Sequence, residues 1–263
     1  MGKSVIAVEG TQDVELAAAL LKAEGFAKVA MYAELDADLQ RLVTTEFPFQ
    51  GDLYKRVPNP MFLRRGADWV AVRAAGGGAH RLSLVIEQVM LQQQLFSDTI
   101  MGLGVLCDAD DQEPVDRLRS LLSELDSRRT ISGFSLPYPD NPGEIAAGKP
   151  RFGVYVLPDN ASFGTLDDLL IECGDVVYGG LLAGARTFVD RVDLAPLTDK
   201  DKVLFLKPAG RKKATVACAA NILKPGMSIA VSIDQNRWLN DQTRNLPRVA
   251  ALANFLRSLC GIA

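Results

Sequence analysis

Histidine is nearly missing from this 263-residue chain, where His80 stands alone. One imidazole excludes a zinc site built on several histidines and argues against a Ser-His-Asp hydrolase. Cysteine is equally sparse. Cys107, Cys173, Cys218 and Cys260 form no CxxC pair and no metal-ligand spacing, and they read as buried thiols of a reducing compartment. No apolar run approaches the about 20 residues that span a bilayer. A strand-like run begins almost at once after Met1, which predicts a cytoplasmic protein without a signal peptide. There is no excess of positive charge either. The net charge is −3, so any nucleic-acid surface has to be a local patch rather than a global field. Hydrophobic residues at 48% and charged ones at 23% suit a globular chain with one large core, or one and a half.

What is present starts with Val5-Ile6-Ala7-Val8, a short β-branched run of the kind that forms a fully buried parallel strand. Gly10 releases the chain at its end, and Thr11 is placed to N-cap a helix carried by Val14, Leu16, Leu20 and Leu21. Glu9 therefore falls at the C-terminal end of a strand, where open α/β sheets hold ligands. Asp13, in the first helical turn, can face the same way. On these residues alone, the two carboxylates serve a helix dipole as well as they serve a ligand. A second strand, Asp68 to Arg73, ends in Gly76-Gly77-Gly78, whose N–H groups can approach an anion closely. These glycines match neither the P-loop nor the dinucleotide fingerprint. A helix is predicted over 82–95, with His80 capping or packing before it.

A third strand, Met101 to Cys107, ends in Asp108-Ala109-Asp110-Asp111. Crowded carboxylates repel one another, so such a cluster signals a hard divalent ion, Mg²⁺ or Mn²⁺. An acidic turn capping the helix that starts near Pro114 is the plain alternative. Residues 34–47 read as a solvated amphipathic helix and 47–66 as a long loop. In that loop Lys55, Arg56, Arg64 and Arg65 alternate with aromatics, a pattern suited to nucleic-acid backbone and bases or simply to solvent. Further on, the pattern predicts a helix over 115–125, a hairpin and loop over 126–150 and a strand over 152–157. An acidic helix start at Gly164 to Leu170 and a helix over 174–195 follow. Arg211, Lys212 and Lys213 are the densest basic cluster. The apolar stripe of the last helix, 248–260, is core or a homodimer face.

A strand ending in Glu9-Gly10 with Asp13 behind it, a second ending in glycines and a third ending in Asp108-Ala109-Asp110 together resemble the Toprim domain of topoisomerases, primases and OLD-family nucleases. Leu157-Pro158-Asp159-Asn160, Gly164-Thr165-Leu166-Asp167-Asp168 and Asp201-Lys202 resemble the later part of small stand-alone Toprim-related proteins of unknown function, in which a glutamate is usual at the place of Asp167. The resemblance implies an α/β, Rossmann-like, mainly parallel sheet flanked by helices. Its core would be 1–125 with an insertion at about 34–66, and 126–263 would be an α+β extension completing the same domain. It further implies Glu9, Asp13, Asp108, Asp110 and Asp167 as ligands of one or two Mg²⁺ or Mn²⁺ ions, with Glu9 also in acid/base work. Lys202, or Lys200 beside it, would stand at the scissile phosphate. Without an evident nucleophilic tyrosine or zinc-binding part, topoisomerase and primase activities are disfavoured. The expectation is a metal-dependent nuclease acting on DNA or RNA, in a phage-defence setting with an ATPase partner protein. A non-catalytic nucleic-acid-binding or regulatory module on the same fold is the alternative, and a phosphatase or nucleotide hydrolase a third.

Overall fold

The computed structural model describes residues 2–53 and 59–262. Lys55 and Arg56 lie outside the described residues. The strands are β1 (Lys3–Val8), β2 (Ala27–Lys28), β3 (Met61–Arg65), β4 (Asp68–Ala74), β5 (Gly102–Asp108), β6 (Ile145–Ala146) and β7 (Arg151–Leu157). The helices are α1 (Thr11–Ala23), α2 (Ala37–Gln40), α3 (Ala79–Gln93), α4 (Pro114–Ser132), α5 (Leu166–Asp190), α6 (Asp199–Leu206), α7 (Gly210–Leu223), α8 (Ile229–Gln235) and α9 (Pro247–Cys260). The sheet has the order β2-β3-β4-β1-β5-β7-β6. Its centre, β4-β1-β5-β7, is parallel, and β2, β3 and β6 add antiparallel edges. The result is an α/β fold with a mainly parallel sheet covered on both faces.

The β1 run explains that arrangement. Every β1 residue is buried, and alternate side chains point to opposite faces. Ile6 and Val8 join a core built with α1, α5, α7, α8 and α9. Val5 and Ala7 join a second core with α2, α3 and α4. The chain from α5 onward thus shares its core with α1 and β1. The α9 stripe of Val249, Leu252, Phe255, Leu256 and Leu259 is spent there and is no dimer face. Among the described residues, no helix is long and apolar enough to cross a membrane.

Close contact between α9 and β5 depends on glycine. A Cβ at Gly102 would lie 2.3 Å from the Leu259 backbone oxygen. Because that atom cannot swing aside, Gly102→Ala is expected to cost about 1–3 kcal/mol. Urea denaturation would read this, and an unshifted midpoint would mean that α9 is not seated so tightly.

Several expectations need correction. Residues 34–47 are not a solvated helix: only Ala37–Gln40 is α-helical, and Leu39 and Leu42 are buried in the second core. The loop expected over 47–66 ends earlier, because Pro58 and Pro60 precede a regular strand, β3, that pairs with β4. The α4 helix continues to Ser132 instead of stopping at 125, and Gly133 ends it in the left-handed region (φ 71°). One helix with a kink at Tyr178 replaces the two segments expected over 164–195. Cys218 is partly exposed, unlike the other three thiols.

Candidate metal centre

The parallel strands deliver their C-terminal ends to one edge, and the carboxylates collect there. The β1–β4 ladder continues past the strands: Gly76 donates its N–H to the Glu9 carbonyl at 2.9 Å, which keeps the glycine loop beside Glu9. Gly10, rather than Thr11, is the N-cap of α1. It has no side chain to cap with, and instead its N–H donates to Asp13 Oδ2 at 2.7 Å, folding that carboxylate back toward Glu9. At the end of β5, Asp108 Oδ1 accepts from the Leu166 N–H at 2.9 Å. Asp110 takes a left-handed backbone (φ 55°) and exchanges two backbone hydrogen bonds with Gly164. Aspartate tolerates that region better than most residues, and the bridge ties the end of β5 to the start of α5.

The start of α5 separates two adjacent aspartates by role. Thr165 caps the helix: its Oγ1 accepts from the Asp167 N–H at 3.2 Å, while its own N–H donates to Asp168 Oδ2 at 2.9 Å. Asp168 is also paired with Lys212 at 2.5 Å. Asp168 is thereby accounted for as a cap. Asp167 is buried, its Oδ2 accepts from the Thr165 hydroxyl at 3.3 Å, and its Oδ1 has no hydrogen-bond partner among the described residues. A buried unsatisfied carboxylate oxygen is costly and calls for an explanation.

The cluster is electrically unbalanced. Burial, reinforced by Glu9 and Asp167 against the pull of the Gly10 N–H, pushes the Asp13 carboxyl up to about 7. Burial and then the charges of Asp13 and Glu9 push Asp108 up to about 8. Burial raises Asp167 as well, with the Lys213 ammonium opposing. Among the described residues of the cluster, Glu9 alone has a strong cationic partner: the Arg117 guanidinium donates to Glu9 Oε1 at 2.6 Å, and the Asp108 N–H approaches the same oxygen at 3.3 Å. Among the described residues, no three His, Cys, Asp or Glu side chains are already arranged to hold an ion together. Burial also pushes the Cys107, Cys173 and Cys260 thiols up to about 12, leaving them inert.

Glu9 and Asp167 thus lie within electrostatic reach of Asp13, and Asp13, Glu9 and Asp110 within reach of Asp108. Gly76 to Gly78 lie at the border of the cluster; a Cβ at Gly78 would sit 3.1 Å from Arg117 Nη2. Lys202 pairs loosely with Asp199 at 3.9 Å, whereas Lys213 lies within electrostatic reach of Asp167 and lines the adjoining cavity with Asp110. Lys212 is held by Asp168, and Arg211 pairs with Asp190 and lies over Phe205. Arg64 and Arg65 are elsewhere. They pair in register with Trp69 and Asp68, at the end of the sheet where β1 begins, and stack on Trp69 and Phe26. Sequence reasoning missed Arg117. Its only signal is a cation in the first turn of the helix that follows Asp110-Asp111.

A family model described as a protein of unknown function (DUF3226) matches residues 3–261. Among solved structures, a hypothetical protein from Pyrococcus horikoshii OT3 is similar in fold, with 17% identity and a TM-score of 0.54 over 98% of this chain and 95% of that one. The C-terminal region of the Burkholderia pseudomallei OLD protein aligns over 98% of both chains, with 14% identity and a TM-score of 0.37. No curated protein matches the chain.

Proposed function

The chain belongs to the DUF3226 family, and within that family we propose that it is a Toprim-type, divalent-metal-dependent phosphodiester hydrolase acting on nucleic acid. The observation that carries this reading is the uncompensated charge at the sheet edge. Asp13 and Asp108 are held far above their ordinary range, and Asp167 keeps a buried oxygen without a hydrogen bond among the described residues. An all-oxygen, multiply anionic donor set suits Mg²⁺ or Mn²⁺ better than softer metals. Asp108, Asp110, Asp13 and Asp167 would hold one or two such ions, with Glu9 as a further ligand or as the acid/base group. When bound, the metal would supply an activated water and stabilise charge on the phosphoryl oxygens.

The protein's own groups have separable tasks in this reading. Lys213 stands where a cation can neutralise charge developing beside Asp167, which makes it the better candidate than Lys202. Arg117 holds Glu9 in one orientation and limits its repulsion of Asp108. The glycine loop can bring backbone N–H groups to a phosphate without side-chain hindrance. An ATPase partner protein and a phage-defence setting belong to the same proposal and rest on the Toprim resemblance alone.

A second reading, a binding or regulatory module that does not cut, is favoured by the Arg117–Glu9 ion pair, which occupies the candidate acid/base group. Incubation with single- and double-stranded DNA and RNA, in Mn²⁺ or in EDTA, separates the two. Cleavage that needs the ion and disappears in Asp108→Ala/Asp110→Ala supports the hydrolase. Ion binding by calorimetry without turnover on any of these substrates supports the module. For the hydrolase, Lys213→Ala is expected to lower the rate about 100-fold or more, in line with loss of one charge-stabilising group. Lys202→Ala is expected to leave the rate nearly unchanged, and the reverse pattern would return the role to Lys202.

A further inference from the structure

We propose that the cavity between the Asp110-Asp111 turn and the α6–α7 turn takes one unpaired nucleotide of the substrate, with its base against Leu204 and Phe205. The inference rests on the reading of the carboxylate cluster as a phosphodiester-hydrolysing centre, because it assigns the neighbouring space. The cavity has a volume of about 700 Å³, within the range of small-molecule sites. It is lined by Asp110 and Asp111, by Leu204 and Phe205, and by Lys207, Lys213 and Asp201.

The α6 helix is otherwise hard to explain. It buries none of its residues, and Val203, Leu204 and Leu206 are 62%, 51% and 55% exposed. Such a helix contributes little to the core, yet both of its ends are well formed. Thr198 caps its start, donating to the Asp201 carboxylate and accepting from the Asp201 N–H. At its far end α7 packs so tightly that a Cβ at Gly210 would lie 2.4 Å from the backbone oxygens of both Leu204 and Phe205. A helix that joins α7 through so tight a turn and presents apolar side chains to an open cavity is a wall for a ligand.

The chemistry of the walls selects the ligand. A nucleobase has flat apolar faces for Leu204 and Phe205, while its exocyclic N–H groups suit acceptors such as Asp111 and Asp201. Its phosphate suits Lys207 and Lys213. The Arg211 guanidinium lies 5.4 Å over the Phe205 ring, so the ring is held in place from one side. In a duplex, base faces are stacked and the amino groups are paired, so only an unpaired nucleotide offers all three features together.

Fluorescence anisotropy tests this with a labelled single strand of about 12 nucleotides, long enough to reach past one stacking site. The same sequence as a hairpin duplex, and adenosine monophosphate as competitor, complete the set, with Ca²⁺ in place of Mn²⁺. The single strand is expected to bind at least about tenfold more tightly than the duplex. Phe205→Ala and Leu204→Ala are each expected to weaken it about tenfold, the scale of losing one stacked base. Their melting temperatures should stay near wild type, since α6 buries nothing. Competition by adenosine monophosphate would mark a free nucleotide as sufficient; Phe205-dependent strand binding without it would mark the strand as the source. Equal binding of duplex, or wild-type binding by both variants, would overturn the inference. Calorimetric Mn²⁺ binding keeps the two readings apart. Intact ion binding with no strand preference sinks the nucleotide pocket alone, and absent ion binding with Phe205-dependent strand binding sinks the metal centre alone.

Discussion

Asp108→Asn is expected to make the metal-free protein more stable at pH 8 while destroying its affinity for divalent ions. The substitution keeps the shape and the Oδ1 that accepts from the Leu166 N–H, and it removes one charge from a crowded site. The sign follows from proton counting. Asp108 and Asp13 titrate at about 8 and about 7 in the folded chain, against an ordinary value of 3.8. Between those limits the folded protein binds more protons than the unfolded one, so stability falls as the pH rises. The loss begins near pH 4 and is complete above about pH 8. Asparagine has no proton to lose and gives a shallower slope. A gain of a few kcal/mol at pH 8, of which each pKa unit supplies about 1.4 kcal/mol, corresponds to about 5–10 °C in melting temperature for a chain of this size. Near pH 4 the two proteins should melt together. Adding Mn²⁺ at pH 8 should raise the wild-type melting temperature by mass action and leave Asp108→Asn where it was. Parallel melting curves across that pH range, with equal response to Mn²⁺, would remove Asp108 from the site.

Asp38→Ala should have the opposite effect on stability and none on the chemistry. Lys3 opens β1 only 1% exposed, and its ammonium lies 2.5 Å from Asp38, 2.8 Å from Asp36 and 3.5 Å from Asp98. Asp38 also accepts from the Ser97 N–H and hydroxyl, both at 2.9 Å. It therefore joins the start of β1, the first turn of α2 and the segment leading to β5. Removing one partner leaves a buried charge poorly compensated, at a cost of about 3–5 kcal/mol and about 10 °C in melting temperature. Burial pushes the Asp38 carboxyl up, but hydrogen bonds from Lys3, Ser97 and Asp98 outweigh it and hold the group at about 2. Its contribution is present above about pH 4 and disappears as the pH falls through about 2. Circular dichroism melts of the variant, with Mn²⁺ binding measured beside them, test the separation. A loss of ion affinity matching that of Asp108→Asn would mean that the two clusters are coupled.

These clusters lie at opposite ends of β1 and were not equally legible. Glu9, Gly76 to Gly78 and Asp108 to Asp110 could be read because each ends a short apolar run, and a parallel sheet brings such ends to one edge. The Lys3 cluster was not legible, because Lys3, Asp36, Asp38 and Asp98 are far apart in the chain and look like ordinary surface charge. Residues 34–47 read as solvated because their start is acidic, although Leu39 and Leu42, the apolar positions of that pattern, are buried in the second core. In the basic residues, composition alone could not show that Lys213 acts on Asp167 or that Arg64 and Arg65 stack at the end of the sheet where β1 begins.

What the sequence determined by itself is therefore local and periodic. It specified the buried strands and the acidic strand ends, and it included an α9 stripe apolar enough for a core. Those follow from side-chain alternation and helical spacing, which depend only on near neighbours. Tertiary structure decided which charges meet. Arg117 reaches Glu9 across 108 residues, the Leu166 N–H reaches Asp108 across 58, and α6 lines one cavity together with Asp111. Electrostatic balance is a sum over such distant pairs, so the charge imbalance that marks this centre exists only once the chain is folded.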